Sequence, residues 1–192
     1  MTNPALRDHV AAGILDAAAA VFAERGNAAS MADVAEAAGV GRATLYRYFP
    51  SRDELLDALA DAGIAEMRRR IGEAELTRVP VQEGIARVAR GFVAAGSKYT
   101  VLMPYGVAGT RVGRNDEKSQ RLIEPLHALF RRGAVEGVLR DDLPTEVLLE
   151  MFGRLLFSAI DRTVRGGVGV ERASAEVVSV FLNGALARPT GV

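Results

Sequence analysis

Apolar residues recur at helical spacing along most of the chain. After an N-terminal stripe, Gly26 follows as a helix stop, and a longer stripe begins after Ser51. The first stripe consists of Val10, Ile14, Ala17, Ala18, Val21 and Phe22, and the second of Leu55, Leu56, Leu59, Ile64, Met67 and Ile71. No alternation of apolar and polar residues is long enough for a strand, so the pattern predicts an all-α protein.

Two short helices are predicted between these stripes. Ser30 and Asp33 form an S-x-x-D capping pattern in front of a helix over 31–38. Gly39 can adopt the left-handed conformation that ends this helix, and a second helix follows over about 42–48. Two short helices joined by a three-residue turn containing glycine are typical of a helix-turn-helix.

The second short helix is expected to bury one face and expose the other. Its interior contacts are expected to come from Val34, Val40, Leu45 and Phe49. A rotation of about 100° per residue then turns four residues outward: Ala43, Thr44, Tyr46 and Arg47. This arrangement favours insertion of the helix into a DNA major groove.

The residue types on the outward face suit DNA recognition. Arg42 opens the helix, where recognition helices meet base edges, and arginine commonly binds guanine through two hydrogen bonds. Ala43 leaves room for a thymine methyl group, and Tyr46 offers a flat ring and a hydroxyl. Phosphate oxygens are the expected partners of Thr44, Tyr48 and Arg52.

Positive charge is local to this segment. The whole chain has 24 basic and 24 acidic residues, for a net charge of zero. Residues 42–52 nevertheless contain three arginines and no acidic residue. A basic patch compatible with a phosphate backbone is therefore predicted although the chain is neutral.

Composition argues against catalysis, metal binding and membrane insertion. The 192 residues include no cysteine and only two histidines, His9 and His127, neither of which lies in a pattern that suggests a catalytic triad or a zinc site. No cofactor motif is complete. The sequence has neither an 18-residue apolar run nor the features of a signal peptide, so we expect a cytoplasmic protein that is not an enzyme.

Residues 22–59 strongly resemble the N-terminal DNA-binding segment of the TetR family of bacterial transcriptional repressors. The residues that carry the resemblance are Gly39, Val40, Thr44, Leu45, Tyr46, Tyr48 and Phe49. By this resemblance, bases are contacted by Arg42, Ala43 and Tyr46, and phosphates by Thr44, Tyr48 and Arg52. It further implies a helix-turn-helix domain of three helices over 1–50 and a ligand-binding and dimerisation domain over 51–192.

The C-terminal region is expected to be helical throughout. Helices are predicted near 81–102, 104–111, 116–138, 144–166 and 171–187, with Pro125 kinking or dividing the third. The last two have wide apolar surfaces, which lie either at the centre of a domain or against a partner. The family resemblance implies the second, a homodimer interface.

Aromatic and methionine side chains of this region are mostly expected in the core. Some suit the wall of an adaptable apolar pocket, and the residues predicted to line it are Phe92, Tyr99, Met103 and Phe130.

The sequence thus predicts a sequence-specific DNA-binding transcriptional regulator. We expect a homodimeric repressor that a small-molecule inducer releases from a palindromic double-stranded DNA operator. Two alternatives remain at this point: a constitutive DNA-binding protein whose C-terminal region only dimerises, and a helical enzyme that has kept a helix-turn-helix. A plain helical hairpin without DNA contact explains the exposed arginines and tyrosines poorly.

Overall fold

The computed structural model describes the backbone of residues 4–99 and 117–186, and side chains within 7–99 and 122–186. In these ranges it is all-α. The helices are α1 (Pro4–Arg25), α2 (Met31–Ala37), α3 (Arg42–Tyr48), α4 (Arg52–Glu73), α5 (Val81–Lys98), α6 (Glu117–Val135), α7 (Thr145–Val164) and α8 (Val170–Ala185). α1 ends at Arg25, directly before the stop predicted at Gly26, and a short 3₁₀ helix, Gly26–Ala28, follows it.

The start of α2 is fixed by the predicted capping pair. The hydroxyl of Ser30 accepts a hydrogen bond from the amide of Asp33 at 3.2 Å, and the carboxylate of Asp33 accepts one from the amide of Ser30 at 2.8 Å. The Ser30 hydroxyl also donates a hydrogen bond to the Asp33 carboxylate at 2.7 Å. This bond, the bond from the Ser30 amide and the nearby charge of Arg25 hold the pKa of Asp33 below its ordinary value. The reciprocal cap satisfies amides that have no partner inside the helix.

The turn between α2 and α3 depends on Gly39. Its φ is +65°, a left-handed conformation in which a side chain is strained. In this conformation the amide of Val40 reaches back to the carbonyl of Ala35 at 3.0 Å. The glycine conformation predicted from the sequence is therefore confirmed.

Buried apolar residues form two clusters, here called the N-terminal core and the C-terminal core. The N-terminal core is built by α1, α2, α3 and the first half of α4, with Phe22, Val34 and Leu45 among its fully buried side chains. The C-terminal core is built by the end of α4 and by α5 to α8. Because α4 supplies Leu55 and Leu59 to one core and Ile71 to the other, it joins the two.

α5 lies at the centre of the C-terminal helices and packs against α4, α6, α7 and α8. It ends at Lys98, earlier than the predicted 102, and the predicted helix over 104–111 lies outside the described residues. Pro125 lies inside α6 without dividing it. The only pairing of extended backbone within the described ranges is an isolated antiparallel bridge between Leu139 and Leu186.

Candidate nucleic-acid interface

α3 is held by its buried face and leaves the opposite face free. Leu45 is fully buried and Phe49 nearly so, which fixes the rotation of this short helix on the N-terminal core. Four residues are exposed on its other face: Arg42, Ala43, Tyr46 and Arg47. Tyr46 keeps 47% of its surface exposed, which is unusual for a large aromatic residue in a folded domain. The predicted outward position is therefore confirmed for Ala43, Tyr46 and Arg47, whereas Thr44 is partly buried.

Thr44 and Tyr48 border this face and are partly buried. The ring of Tyr48 packs against the N-terminal core, and the guanidinium of Arg47 lies 5.5 Å from the centre of that ring. A cation at this distance is attracted by the ring, which restrains the arginine side chain. Arg47 and Tyr48 can therefore present a positive charge and a phenol hydroxyl side by side on the surface.

Arg7 was not found by sequence reasoning. Its guanidinium lies 6.0 Å from the centre of the Tyr48 ring, so a positive charge from α1 joins those of α3. Within the described part of the chain, neither Arg7, Arg42 nor Arg47 forms an ion pair with a carboxylate. Only tertiary packing brings Arg7 to this surface, so no local sequence pattern indicates it.

Arg52 is turned inward, away from the solvent side of the patch. Its guanidinium donates hydrogen bonds to the carbonyls of Ala29 and Asn27 and lies 4.8 Å from the centre of the Phe22 ring. These contacts hold the 3₁₀ segment after α1 against the start of α4. They assign Arg52 a structural role, and its predicted phosphate contact stays a prediction.

The described residues predicted to line a ligand pocket have different surroundings, and their predicted role stays a prediction. Phe130 is fully buried in an aromatic cluster with Phe152 and Phe181. Phe92 is partly buried and stands edge-to-face against Phe157 at 5.7 Å. Tyr99 packs against the N-terminal core instead, and Met103 lies outside the described residues.

A cleft of about 310 Å³ opens between the C-terminal end of α4 and α6. Its walls combine apolar side chains with one guanidinium and one carboxylate. The lining residues are Arg68, Ile71, Gly72, Glu75, Leu76, Thr77, Leu122 and Pro125. Glu75 is already paired with Arg78 at 2.9 Å, which leaves Arg68 as the charged group facing the cleft without a carboxylate partner among the described residues. The sequence pattern did not indicate this cleft, because it is formed by residues far apart in the chain.

Exposed apolar side chains mark α7 and α8. Met151 and Val164 of α7 and Val180 of α8 are exposed, and Leu155 and Leu182 nearby are only partly buried. Val180 leaves 62% of its surface in contact with solvent. Exposed apolar residues on neighbouring helices are typical of a protein interface.

A metal centre finds no support in the described ranges. They contain no group of three or more histidine, aspartate or glutamate side chains that could hold an ion. Within the same ranges, no helix combines the length and the apolar character that crossing a bilayer requires.

Residues 14–59 match a family model described as bacterial regulatory proteins, tetR family. This segment runs from the middle of α1 through α3 into α4, and thus contains the whole exposed face described above.

Similarity to individual proteins extends beyond that segment. The HTH-type transcriptional regulator NfxB of Pseudomonas aeruginosa is 28% identical over 166 residues, covering 82% of this chain and 84% of that protein. The HTH-type transcriptional repressor LfrR of Mycolicibacterium smegmatis is 41% identical over 92 residues, which are 46% of this chain and 48% of that protein.

A solved structure agrees along nearly the full length. The crystal structure of the TetR-like regulator LfrR from Mycobacterium smegmatis, in complex with proflavine, superimposes with a TM-score of 0.72 at 25% identity. The match covers 94% of this chain and 99% of that one. The helical arrangement of the C-terminal region is therefore shared as well.

Proposed function

We propose that this chain is a repressor that binds a palindromic operator as a homodimer. The chain belongs to the TetR family of bacterial regulatory proteins, and it is a DNA-binding transcriptional regulator rather than an enzyme. The observation that carries the proposal is the exposed face of α3. It presents two arginines and a half-exposed tyrosine on a helix whose other side is locked by Leu45. Such a regulator acts on DNA in the bacterial cytoplasm.

In this proposal α3 enters the major groove. Arg42, Ala43 and Tyr46 contact base edges, since they lie on the exposed face and near its N-terminal half. Arg47 supports the same face, while Thr44 and Tyr48 contact phosphates from its border. Arg7 adds a further phosphate contact next to Tyr48. Arg52 contributes by holding the segment before α2 in place.

Dimerisation supplies a second recognition helix, which binds the second half-site of the operator. One seven-residue helix reads too few base pairs for useful specificity, whereas a two-fold dimer places two such helices about 34 Å apart in successive major grooves. The exposed apolar side chains of α7 and α8 support a four-helix interface formed by both subunits. The resulting operator has two-fold symmetry.

A small-molecule ligand is proposed to bind the C-terminal helices and release the operator. LfrR has been crystallised with proflavine, which shows that this related fold holds a small aromatic molecule. In this chain the cleft between α4 and α6 is at the small end of the range of ligand sites, about 300–1,000 Å³. The predicted pocket residues Phe92, Tyr99, Met103 and Phe130 remain proposals.

Linkage limits what such a ligand can do. A ligand weakens operator binding only by its differential affinity for the two conformations. A coupling of about 1–3 kcal/mol corresponds to a change in operator affinity of roughly 5- to 150-fold. α4 is suited to carry this coupling because it begins in the N-terminal core with Leu55 and lines the cleft with Arg68 and Ile71 near its other end.

Selection of bound duplexes from a random DNA pool tests the proposal. We expect enrichment of an inverted repeat whose half-sites are about one helical turn apart, centre to centre. Arg42→Ala should relax the preferred base at one position in each half-site, and an alanine substitution at an exposed residue of α6, Arg131→Ala, serves as the control. Failure to enrich any symmetric sequence would contradict the proposal.

A further inference from the structure

The last turn of α5 contacts both the first helix of the DNA-binding unit and a helix of the proposed dimer interface. This α5 terminal turn consists of Gly96, Ser97, Lys98 and Tyr99. Its four consecutive residues form a connection between α1 and α7 that does not pass through α4.

The contact with α7 is close and polar. A Cβ atom on Gly96 would lie 2.2 Å from Cδ1 and 2.8 Å from Cγ1 of Ile160, so a larger residue here would displace the Ile160 side chain or the two helices. One turn further along α7, the hydroxyls of Ser97 and Thr163 are 2.7 Å apart. Neither side chain can shift without breaking a short hydrogen bond or a packed contact, so the register between α5 and α7 is fixed.

The contact with α1 is ionic and apolar. Nζ of Lys98 lies 2.8 Å from a carboxylate oxygen of Asp16, and the Tyr99 side chain packs against the N-terminal core. Nζ of Lys98 also lies 5.4 Å from the centre of the Tyr99 ring, which keeps the two side chains together. The end of α5 therefore contacts α1 through Lys98 and the N-terminal core through Tyr99.

We infer that Lys98 and Tyr99 are positioning residues for operator binding, and that they set the separation of the two recognition helices in the dimer. The inference rests on the proposed function, because it needs α7 at the dimer interface and α3 on DNA. In each subunit, α7 positions the α5 terminal turn, this turn positions α1, and α1 carries the core on which α3 is mounted. The distance between half-sites that the dimer accepts is then determined partly at Asp16 and Lys98.

The ion pair is suited to orientation rather than to stability. The side chains of Lys98 and Asp16 are 48% and 67% exposed, and exposed ion pairs contribute little to the free energy of unfolding. Removing the pair should therefore leave the protein folded while the DNA-binding unit becomes less restrained. A variant of this kind changes how the DNA-binding unit is positioned without unfolding the protein.

The experiment compares two duplexes that differ only in spacing. The first is the inverted repeat selected from the random pool, and the second is the same duplex with one base pair inserted at its centre. The ratio of the two affinities measures how strictly the dimer holds its recognition helices apart. Partial unfolding lowers both affinities equally and leaves the ratio unchanged, so the ratio reports positioning alone.

The variants are Asp16→Lys, Lys98→Glu and the double exchange of both charges. We expect each single variant to lower the ratio by roughly two- to fivefold, which corresponds to the free energy that an exposed ion pair contributes. We expect the double variant to restore the ratio. Arg90→Glu is the matched control, because Arg90 is also on α5 and forms an exposed ion pair, with Glu171 of α8 at 3.0 Å. This control should leave the ratio unchanged.

An unchanged ratio in both single variants, or an equal loss in Arg90→Glu, would overturn this inference and leave the proposed function standing. A selection that enriches no symmetric duplex overturns both. The two failures are thus distinguishable before any variant is measured. Gly96→Ala gives an independent check, since it should lower the ratio by forcing α5 away from Ile160, whereas Gly84→Ala, at the other end of α5 and against Leu129, should not.

Discussion

The guanidinium of Arg52 at the start of α4 lies 4.8 Å from the centre of the Phe22 ring on α1. The same group donates to the carbonyls of Ala29 and Asn27. One side chain thus joins the end of α1, the segment before α2 and the start of α4, which are the three pieces that frame the helix-turn-helix.

Arg52→Ala is expected to lower the free energy of unfolding by about 1–3 kcal/mol, because it removes charge-assisted hydrogen bonds and a cation–π contact. Chemical denaturation measures this loss. The dependence of DNA affinity on salt should stay unchanged, since the guanidinium is engaged inside the protein. A salt slope lower by about one unit would instead support the phosphate contact expected from the sequence.

Tyr46→Ala is expected to abolish discrimination between the selected operator and random DNA while leaving the melting temperature within about 1 °C. The reason is that Tyr46 lies on the exposed face of α3, outside the N-terminal core. Gel-shift titrations with both duplexes measure the discrimination. Tyr46→Phe tests the hydroxyl separately, and unchanged operator preference in Tyr46→Ala would refute the assigned role.

Val180→Asp is expected to convert the dimer to a monomer at micromolar concentration, because it places a charge in the apolar surface of α7 and α8. Light scattering measures the mass. Val135→Asp is the control, since Val135 is even more exposed, at 88%, but lies at the end of α6. A wild-type monomer, or equal dissociation of both variants, would contradict the proposed interface.

Glu66 gives a prediction on acid stability. Hydrogen bonds from Arg69 and Arg70 lower the pKa of this carboxyl from 4.5 to about 2. A group with a lowered folded-state pKa stabilises the protein above its unfolded pKa, and this contribution disappears as the pH falls from 4.5 towards 2.

Glu66→Gln should therefore lower the free energy of unfolding by about 1 kcal/mol at pH 7, and by progressively less below pH 4.5. Urea denaturation at several pH values gives the difference from wild type. Glu24→Gln, at an exposed position of α1, is the comparison variant. A difference that stays constant down to pH 2 would show that the ionised carboxylate of Glu66 is not the stabilising group.

Most features of the helix-turn-helix could be predicted from local patterns in the sequence. The cap at Ser30, the left-handed Gly39 and the helix over 42–48 were all predicted and are all present. Each depends on residues at most a few positions apart, where capping chemistry, glycine freedom and helical periodicity act directly. The exposure of Tyr46 follows from the same periodicity once Leu45 is buried.

Side-chain directions that depend on distant partners could not be predicted. Arg52 looked like a phosphate ligand, but the carbonyls that accept its hydrogen bonds belong to residues 23 and 25 positions earlier. Tyr99, predicted from the sequence to line a pocket, packs against the N-terminal core, a contact that the sequence did not indicate. Arg7 comes near Tyr48 only because tertiary packing brings the start of α1 close to the end of α3.

α4 is a single uninterrupted helix of 22 residues whose apolar side chains are divided between the two cores. A fragment that stopped at residue 50 would lack Leu55 and Leu59, both of which are fully buried in the N-terminal core. The shortest N-terminal fragment that contains the whole buried N-terminal core must therefore extend to about residue 60. In the intact chain, melting either core exposes one end of the same helix, so we expect the two cores to unfold together on heating.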